Sequence, residues 1–250
     1  MAGAAERVRN FWAGLMRLSA LGVVAVNLLP VAGVLMLGWP AGVLLMLYWC
    51  ENVVIGVINI LKMAISGAAS GLAGIATCLF IIPFFIVHYG LFCYGHGTFV
   101  VMIGHVGQPG PEPRANGIPD LVAIVETLVR NEPGFAWSLA AIVAWRLWGL
   151  VADWLLKGGA RETNPMAQMF EPYGRIVILH VTLIAGMGLV MALGQPVWAL
   201  LVLAIIKTLF DLGLSGDMGK FRMTEAQRAR TDEGMRALDR WLAERFQTRR

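Results

Sequence analysis

The sequence predicts an all-α polytopic membrane helix bundle, with six transmembrane helices and a C-terminal amphipathic helix. Three observations predict it. Of the 250 residues, 58% are hydrophobic and only 14% charged, whereas a soluble domain carries about 25% charged residues. The 29 glycines come on top of that apolar share, and the mean hydropathy is +0.67. The apolar residues are also gathered into runs of about 20, the length that crosses a bilayer as a helix. A globule of this size has no interior large enough to hide so much apolar side chain. The composition therefore excludes an ordinary soluble enzyme, a disordered chain and a nucleic-acid-binding module.

Residues 1–17 read as a basic cytoplasmic segment carrying Arg7, Arg9 and Arg17. The first span, Leu18–Leu37, has too long an apolar run for a signal peptide and no small-x-small cleavage site after it, so it reads as a retained helix. The second, Ala41–Ile65, begins directly after Pro40. The third, Leu72–Ile103, is long enough to tilt or bend, and Pro83 supplies a kink point. An extracytoplasmic loop over about 105–134 follows, with Pro109, Pro111, Pro113 and Pro119, and its Pro119–Arg130 stretch reads as a short amphipathic helix. The fourth span covers Phe135–Leu156, the fifth Gly174–Leu193 and the sixth Val197–Leu214, the last two joined by a tight Gly194–Pro196 turn. Residues 18–214 thus form the transmembrane domain and 215–250 a cytoplasmic tail. In the tail, Thr224 to Gln227 fits a capping box, and Met235, Leu238, Leu242 and Phe246 recur at helical spacing. Such a helix lies on anionic lipid at the inner membrane surface or binds a protein partner.

Lysine and arginine set the orientation. With the N-terminus inside, Arg7, Arg9, Arg17, Lys62, Lys157, Arg161, Arg175 and all nine basic residues from Lys220 onward are cytoplasmic; only Arg114 and Arg130 fall outside. The protein is expected in the cell membrane, multi-pass, with both termini cytoplasmic. The pI of about 9.2 reflects this lipid-facing tail, and no nucleic-acid partner is expected. Cys50, Cys78 and Cys93 all lie in apolar runs and form neither a disulfide framework nor a CxxC metal pair.

Ionisable groups inside a span cost about 2.5–3.5 kcal/mol each on insertion scales and commonly mark function. Here they are Glu51, His88, His96, Arg146, Asp153, His180, Lys207 and Asp211. At about 100° per residue, Tyr48, Glu51, Asn52, Asn59 and Lys62 share one arc of the second helix. His88, Tyr89 and His96 share an arc of the third, and Lys207, Thr208, Asp211 and Ser215 one of the sixth. Arg146 and Asp153 fall nearly in line on the fourth. These sectors are expected to face a common interior.

The stretches Tyr48-Trp49-Cys50-Glu51-Asn52, His88-Tyr89-Gly90 with His96-Gly97, and Glu171-Pro172-Tyr173-Gly174-Arg175 continuing to His180 resemble the hallmarks of a prokaryotic family of integral membrane proteins catalogued as a domain of unknown function. The resemblance covers most of the six-span core. It implies a polytopic membrane protein and carries no activity.

Each polar residue also has a plain structural reading. Lys207 and Asp211, at i and i+4, fit an intrahelical ion pair. Arg146 fits packing against acids of a neighbouring helix. Trp145, Trp148 and Trp154 fit interface or packing roles, Glu171 fits a helix N-terminal acid before Pro172, and His96 and His105 fit a solvated outer boundary. Met187 and Met191 share the face of His180, but core methionines are far commoner than ligands and no Cys-x-x-Cys-His occurs, which weighs against haem. Glu51 is the hardest to explain away, since an acid near mid-span must be protonated or paired.

Three functions remain in view. Glu51 and His88, with His180 or Asp211, are acceptable ligands for a metal-dependent membrane enzyme. The same groups suit a proton or small-ion pathway, and they also suit a structural or assembly protein held by polar contacts. Depth separates them. Glu51 and His88 lie near the midplane, His96 about 12 Å further outward, and His180, Lys207, Asp211 and Asp153 toward the cytoplasmic side. Ligands must converge within about 2–2.3 Å of one ion, whereas a relay needs such a ladder. The pathway is favoured, with Glu51 and His88 as its midplane step and Asn52, Asn59, Tyr89, His96, Arg146, Asp153, His180, Lys207 and Asp211 along it. A reporter fused after Gln195 and one fused at Arg250 are expected on opposite sides of the membrane; finding both on one side would refute the topology.

Overall fold

In an apolar environment a chain must satisfy its own backbone N–H and C=O groups, and a helix does so within one segment. The computed structural model describes residues 18–104, 118–156, 158–174, 176, 177, 202, 204–209, 212 and 225–247, and among these every regular element is helical. The helices are α1 (Leu18–Leu37), α2 (Ala41–Ala69), α3 (Gly71–Gly104), α4 (Leu121–Asn131) and α5 (Pro133–Trp148), which continues as a π-helix over Gly149–Leu155. Two short helices, α6 (Gly159–Glu162) and α7 (Pro165–Phe170), and the tail helix α8 (Glu225–Gln247) follow. Among the described residues, three segments are long and apolar enough to cross a membrane: Gly42–Ala69, Gly71–Met102 and Gly134–Ala152. Most of the expected fifth span and part of the sixth lie outside the described residues.

The chain forms two compact units. The first joins Met1–Val53, Phe92–Trp145 and Gly174–Lys220. Its core sets Val43, Met46, Leu47 and Cys50 of α2 against Val100 of α3, Ile124 and Leu128 of α4, and Phe135 and Ile142 of α5. The α4 helix can join because it is amphipathic: Leu121, Ile124 and Leu128 are buried on one side, and Asp120 caps its start by accepting from the Ala123 N–H. Trp49 donates its indole N–H to the Cys93 carbonyl at 2.6 Å, so the polar edge of a large side chain is satisfied inside the core.

The second unit joins Val54–Leu91, Arg146–Tyr173 and Phe221–Arg250. Here α2 turns into α3 through Ser70 alone, and Gly71 takes φ +77°, a left-handed conformation that glycine adopts without steric cost. A Cβ on Gly74 would stand 2.3 Å from the Gly67 carbonyl oxygen, so the two helices close on a glycine–glycine contact. Within this unit α3 turns Leu79, Phe80, Val87 and Leu91 outward, an apolar surface of the kind that lipid solvates. The helix runs unbroken through Pro83.

Two expectations need correction. The fourth span is not one regular α-helix: at Gly149 it widens to π geometry, where the Leu156 N–H donates to the Val151 carbonyl five residues back at 2.9 Å. The 100° phase that aligned Arg146 with Asp153 therefore fails beyond Gly149. Asp153 lies on the π-helix, and its side chain is outside the described residues. His96 is buried rather than solvated, with Nδ1 3.0 Å from the Phe92 carbonyl, on the part of α3 that belongs to the first unit. Residues 159–170, between the expected fourth and fifth spans, hold α6 and α7, the latter started by Asn164, whose side chain accepts from the Ala167 N–H, with Pro165 next. That pattern is a standard helix start.

The tail helix α8 is tied to the second unit. Asp239 Oδ1 accepts from the Ala73 N–H at 2.7 Å, supplying an anion to the unpaired amides at the start of α3. Asp239→Ala is expected to cost roughly 0.5–2 kcal/mol, the usual price of a lost cap, and to speed limited proteolysis of the tail while leaving the helical content unchanged. An unchanged cleavage rate would show that this contact does not hold α8.

Candidate functional site

In the first unit the polar arc of α2 is turned inward. Tyr48, Glu51 and Asn52 are all buried. A bare carboxylate in such a place would be strongly penalised, so it needs a cation or a proton. Lys207 supplies the cation, with Nζ 2.6 Å from Glu51 Oε2 and side-chain exposures of 12% and 3%. Lys207 Nζ also donates to Asn27 Oδ1 and lies 4.7 Å from the centroid of the Tyr48 ring, a distance at which the π-face attracts an ammonium. Tyr48 in turn donates its hydroxyl to the Asn27 carbonyl at 3.3 Å, and the Asn52 amide donates to the Tyr48 carbonyl at 2.9 Å. The result is a buried ammonium with an anionic, an amide and an aromatic contact.

The second unit holds another polar cluster, built between α2 and the 159–173 segment. Lys62 Nζ donates to both Glu171 oxygens, at 2.9 and 3.1 Å. Gln168 Nε2 donates to Asn59 Oδ1 at 2.9 Å and to Glu171 Oε2. Lys62 Nζ also stands 5.8 Å from the centroid of the Trp154 ring. Two residues beyond Glu171, the Tyr173 hydroxyl is 2.8 Å from His88 Nδ1, and Tyr173 meets the rings of Phe85, Tyr89 and Phe170 at centroid distances of 6.1–6.3 Å. Burial pushes the Tyr173 phenol up, so its hydroxyl keeps its proton at neutral pH. Tyr89 fits beside α2 because Gly56 leaves room: a Cβ there would be 2.5 Å from the ring.

These placements redistribute the expected site. Glu51 and His88 were read as one pair; each has a partner within its own unit, Lys207 for the first and Tyr173 for the second. Helical depth predicts height along a span, not which side chains turn toward each other. Lys207 reaches across to Glu51, whereas the expected i+4 partner, Asp211, lies outside the described residues, as does His180. Glu171 does precede the helical residues that begin at Tyr173, and it also neutralises Lys62. Asn27, Gln168 and Tyr173 were missed as site residues. Asn27 carried a signal, being the one amide in the first span. Gln168 and Tyr173 gave little, because only tertiary folding brings their segment to α2 and α3. Among the described residues no three His, Cys, Asp or Glu side chains gather closely enough to hold a metal ion.

The three hallmark stretches thus supply interacting side chains: Tyr48, Glu51 and Asn52 in the first unit, and His88 with Tyr173 in the second. A family model, described as a family of unknown function (DUF6498), matches residues 13–235 of the chain. The chain belongs to the DUF6498 family. No curated protein and no solved structure matches it. For this DUF6498 member, function must therefore be argued from the two polar clusters themselves.

Lys207→Met is expected to destabilise the protein by about 3–5 kcal/mol, since it removes the cation that stands 2.6 Å from the buried Glu51 carboxylate. Glu51→Gln combined with Lys207→Met should recover most of that loss, because no charge is then left unpaired. Thermal unfolding of the detergent-purified variants measures both. A double variant no more stable than Lys207→Met would refute the pairing.

Proposed function

We propose that the chain is a multi-pass protein of the cell membrane, with six spans and both termini cytoplasmic, and that it carries a proton or small-ion pathway whose titratable step is Glu51 with Lys207. One observation supports this above the others: an ion pair with side-chain exposures of 3% and 12%, held between segments far apart in sequence. Replacing buried pairs by apolar residues is often neutral or stabilising, so such a pair is weak ground for a purely stabilising role. Ionisable groups at membrane depth are by default functional.

The chemistry is simple. A proton arriving on the Glu51 carboxylate gives a neutral acid and releases Lys207 from its counter-ion. The ammonium is not then abandoned, because Asn27 Oδ1 and the Tyr48 ring still face it. Loss of the proton restores the ion pair. A site with two such electrostatically tolerable states can accept and pass on a proton. The structural reading has its own support, since Lys207, Asn27, Tyr48 and Glu51 tie together the first, second and sixth apolar segments. Nothing favours a metal-dependent enzyme built on Glu51, because a metal there would compete with Lys207.

For the tail, the reading is attachment to anionic lipid through the side opposite Asp239. Trp241 is half exposed there, with Arg245 5.5 Å from its ring, the aromatic and basic pairing that suits a headgroup layer.

Flux separates the readings. Protein reconstituted in liposomes with an internal pH dye is expected to dissipate a pH gradient, and Glu51→Gln, which keeps shape but removes titration, should abolish the pH-dependent part. Full flux in a folded Glu51→Gln protein would exclude the relay and leave the structural role.

A further inference from the structure

The cluster around Lys62 and Glu171 in the second unit has no part in that pathway, and its hydrogen-bond inventory does not close. Four side chains offer N–H donors there: Asn59, Lys62, Trp154 and Gln168. Among the described residues, Asn59 Nδ2 and Trp154 Nε1 are both buried and have no hydrogen-bond partner. Asn59 is only 3% exposed, and its own oxygen is already used by Gln168. A buried, unpaired N–H costs about 1–3 kcal/mol, so both donors are open to acceptor oxygens from a ligand. Trp154 packs so closely on Gly159 that a Cβ there would lie 2.7 Å from the indole nitrogen, so the indole is held in place rather than free to turn toward solvent.

Charge then limits what can supply those oxygens. Lys62 and Glu171 neutralise each other, and they differ in access: the side chain of Lys62 is 15% exposed and that of Glu171 is 44% exposed. A simple anion would satisfy the donors but leave the site with one uncompensated negative charge, which desolvation disfavours. A simple cation would leave the donors unpaired. A ligand with an acidic oxygen group and an ammonium meets both demands, with its oxygens on Lys62 and Asn59 and its ammonium on the exposed side of Glu171. The ion pair is then exchanged for two ion pairs, and the net charge of the protein groups stays zero.

We propose that the Asn59–Lys62–Gln168–Glu171 cluster, walled by Trp154, is a binding site for a small zwitterion that carries one acidic oxygen group and one primary ammonium. That chemistry occurs in a free amino acid and in the headgroup of an ethanolamine phospholipid.

The test is thermal unfolding of the detergent-purified full chain titrated with four probes. Glycine represents the free zwitterion and glycerophosphoethanolamine the headgroup; acetate and ethanolamine each carry half of the chemistry. A saturable rise in the unfolding midpoint is expected with at least one complete zwitterion and with neither half. A response to glycerophosphoethanolamine alone assigns the site to lipid, and a response to glycine alone assigns it to a free amino acid. Asn59→Leu should weaken the response about tenfold, the worth of one hydrogen bond to a charged group. Should that variant fail to fold, Glu171→Gln still tests the site, because it leaves Lys62 without its anion and should invert the preference, so that acetate outcompetes glycine. No midpoint shift with either zwitterion, or an unchanged probe preference in Glu171→Gln, would overturn the proposal.

Discussion

An ammonium set against a carboxylate in a buried, apolar setting is the contact on which the first unit depends. Lys207 and Glu51 stand 2.6 Å apart, and a charged carboxylate at that buried position needs the cation beside it. The surrounding residues follow from this requirement. Asn27 accepts from the ammonium, Tyr48 lays its ring beside it and ties its own hydroxyl to the Asn27 backbone, and Asn52 satisfies its amide on its own helix. Apolar packing of Val31, Leu44 and Ala204 lies against Tyr48, but packing alone cannot specify which helix sits beside which. The polar contacts can, because only one register pairs them.

The second unit obeys the same rule with a different outcome. Lys62 and Glu171 are also paired, yet Glu171 remains well exposed, and the cluster holds buried N–H groups without a hydrogen-bond partner among the described residues. A closed pair suits the movement of a proton between internal states, whereas an open, donor-rich pair suits a ligand that arrives from outside. The path of the chain between α5 and Tyr173 makes the second arrangement possible. The π-helix at Gly149–Leu155, the left-handed Gly158 and the Asn164–Pro165 helix start together carry Gln168, Glu171 and Tyr173 to residues on α2 and α3. Local departures from regular α-helix are frequent at functional sites, and here one stands directly before the segment that builds the cluster.

The tail helix also has a more specific place than an amphipathic pattern conveys. Asp239 gives its carboxylate to the first amides of α3, so α8 is anchored by a backbone contact to a helix start. With Asp239 turned inward, Trp241 and Arg245 fall on the outer side.

The sequence by itself determined that the chain is helical and apolar enough to cross a membrane, because both are properties of a segment alone: an apolar run must satisfy its backbone internally. The bounds of α1 and the starts of α2 and α3 were legible for the same reason, set by Pro40 and by glycines whose effect is local. That Tyr48, Glu51, Asn52, Asn59 and Lys62 share one side of α2 was legible too, since phase along a regular helix is arithmetic. Partnership was not. Lys207 lies 156 positions from Glu51 in the chain, and His88 meets Tyr173, 85 positions away. Height and phase restrict where a side chain sits but leave open which neighbour it faces, and Asn27, Gln168 and Tyr173 acquire their roles only when distant segments pack. The tertiary structure decided the pairs because an electrostatic contact depends on separation in space, which no local pattern encodes.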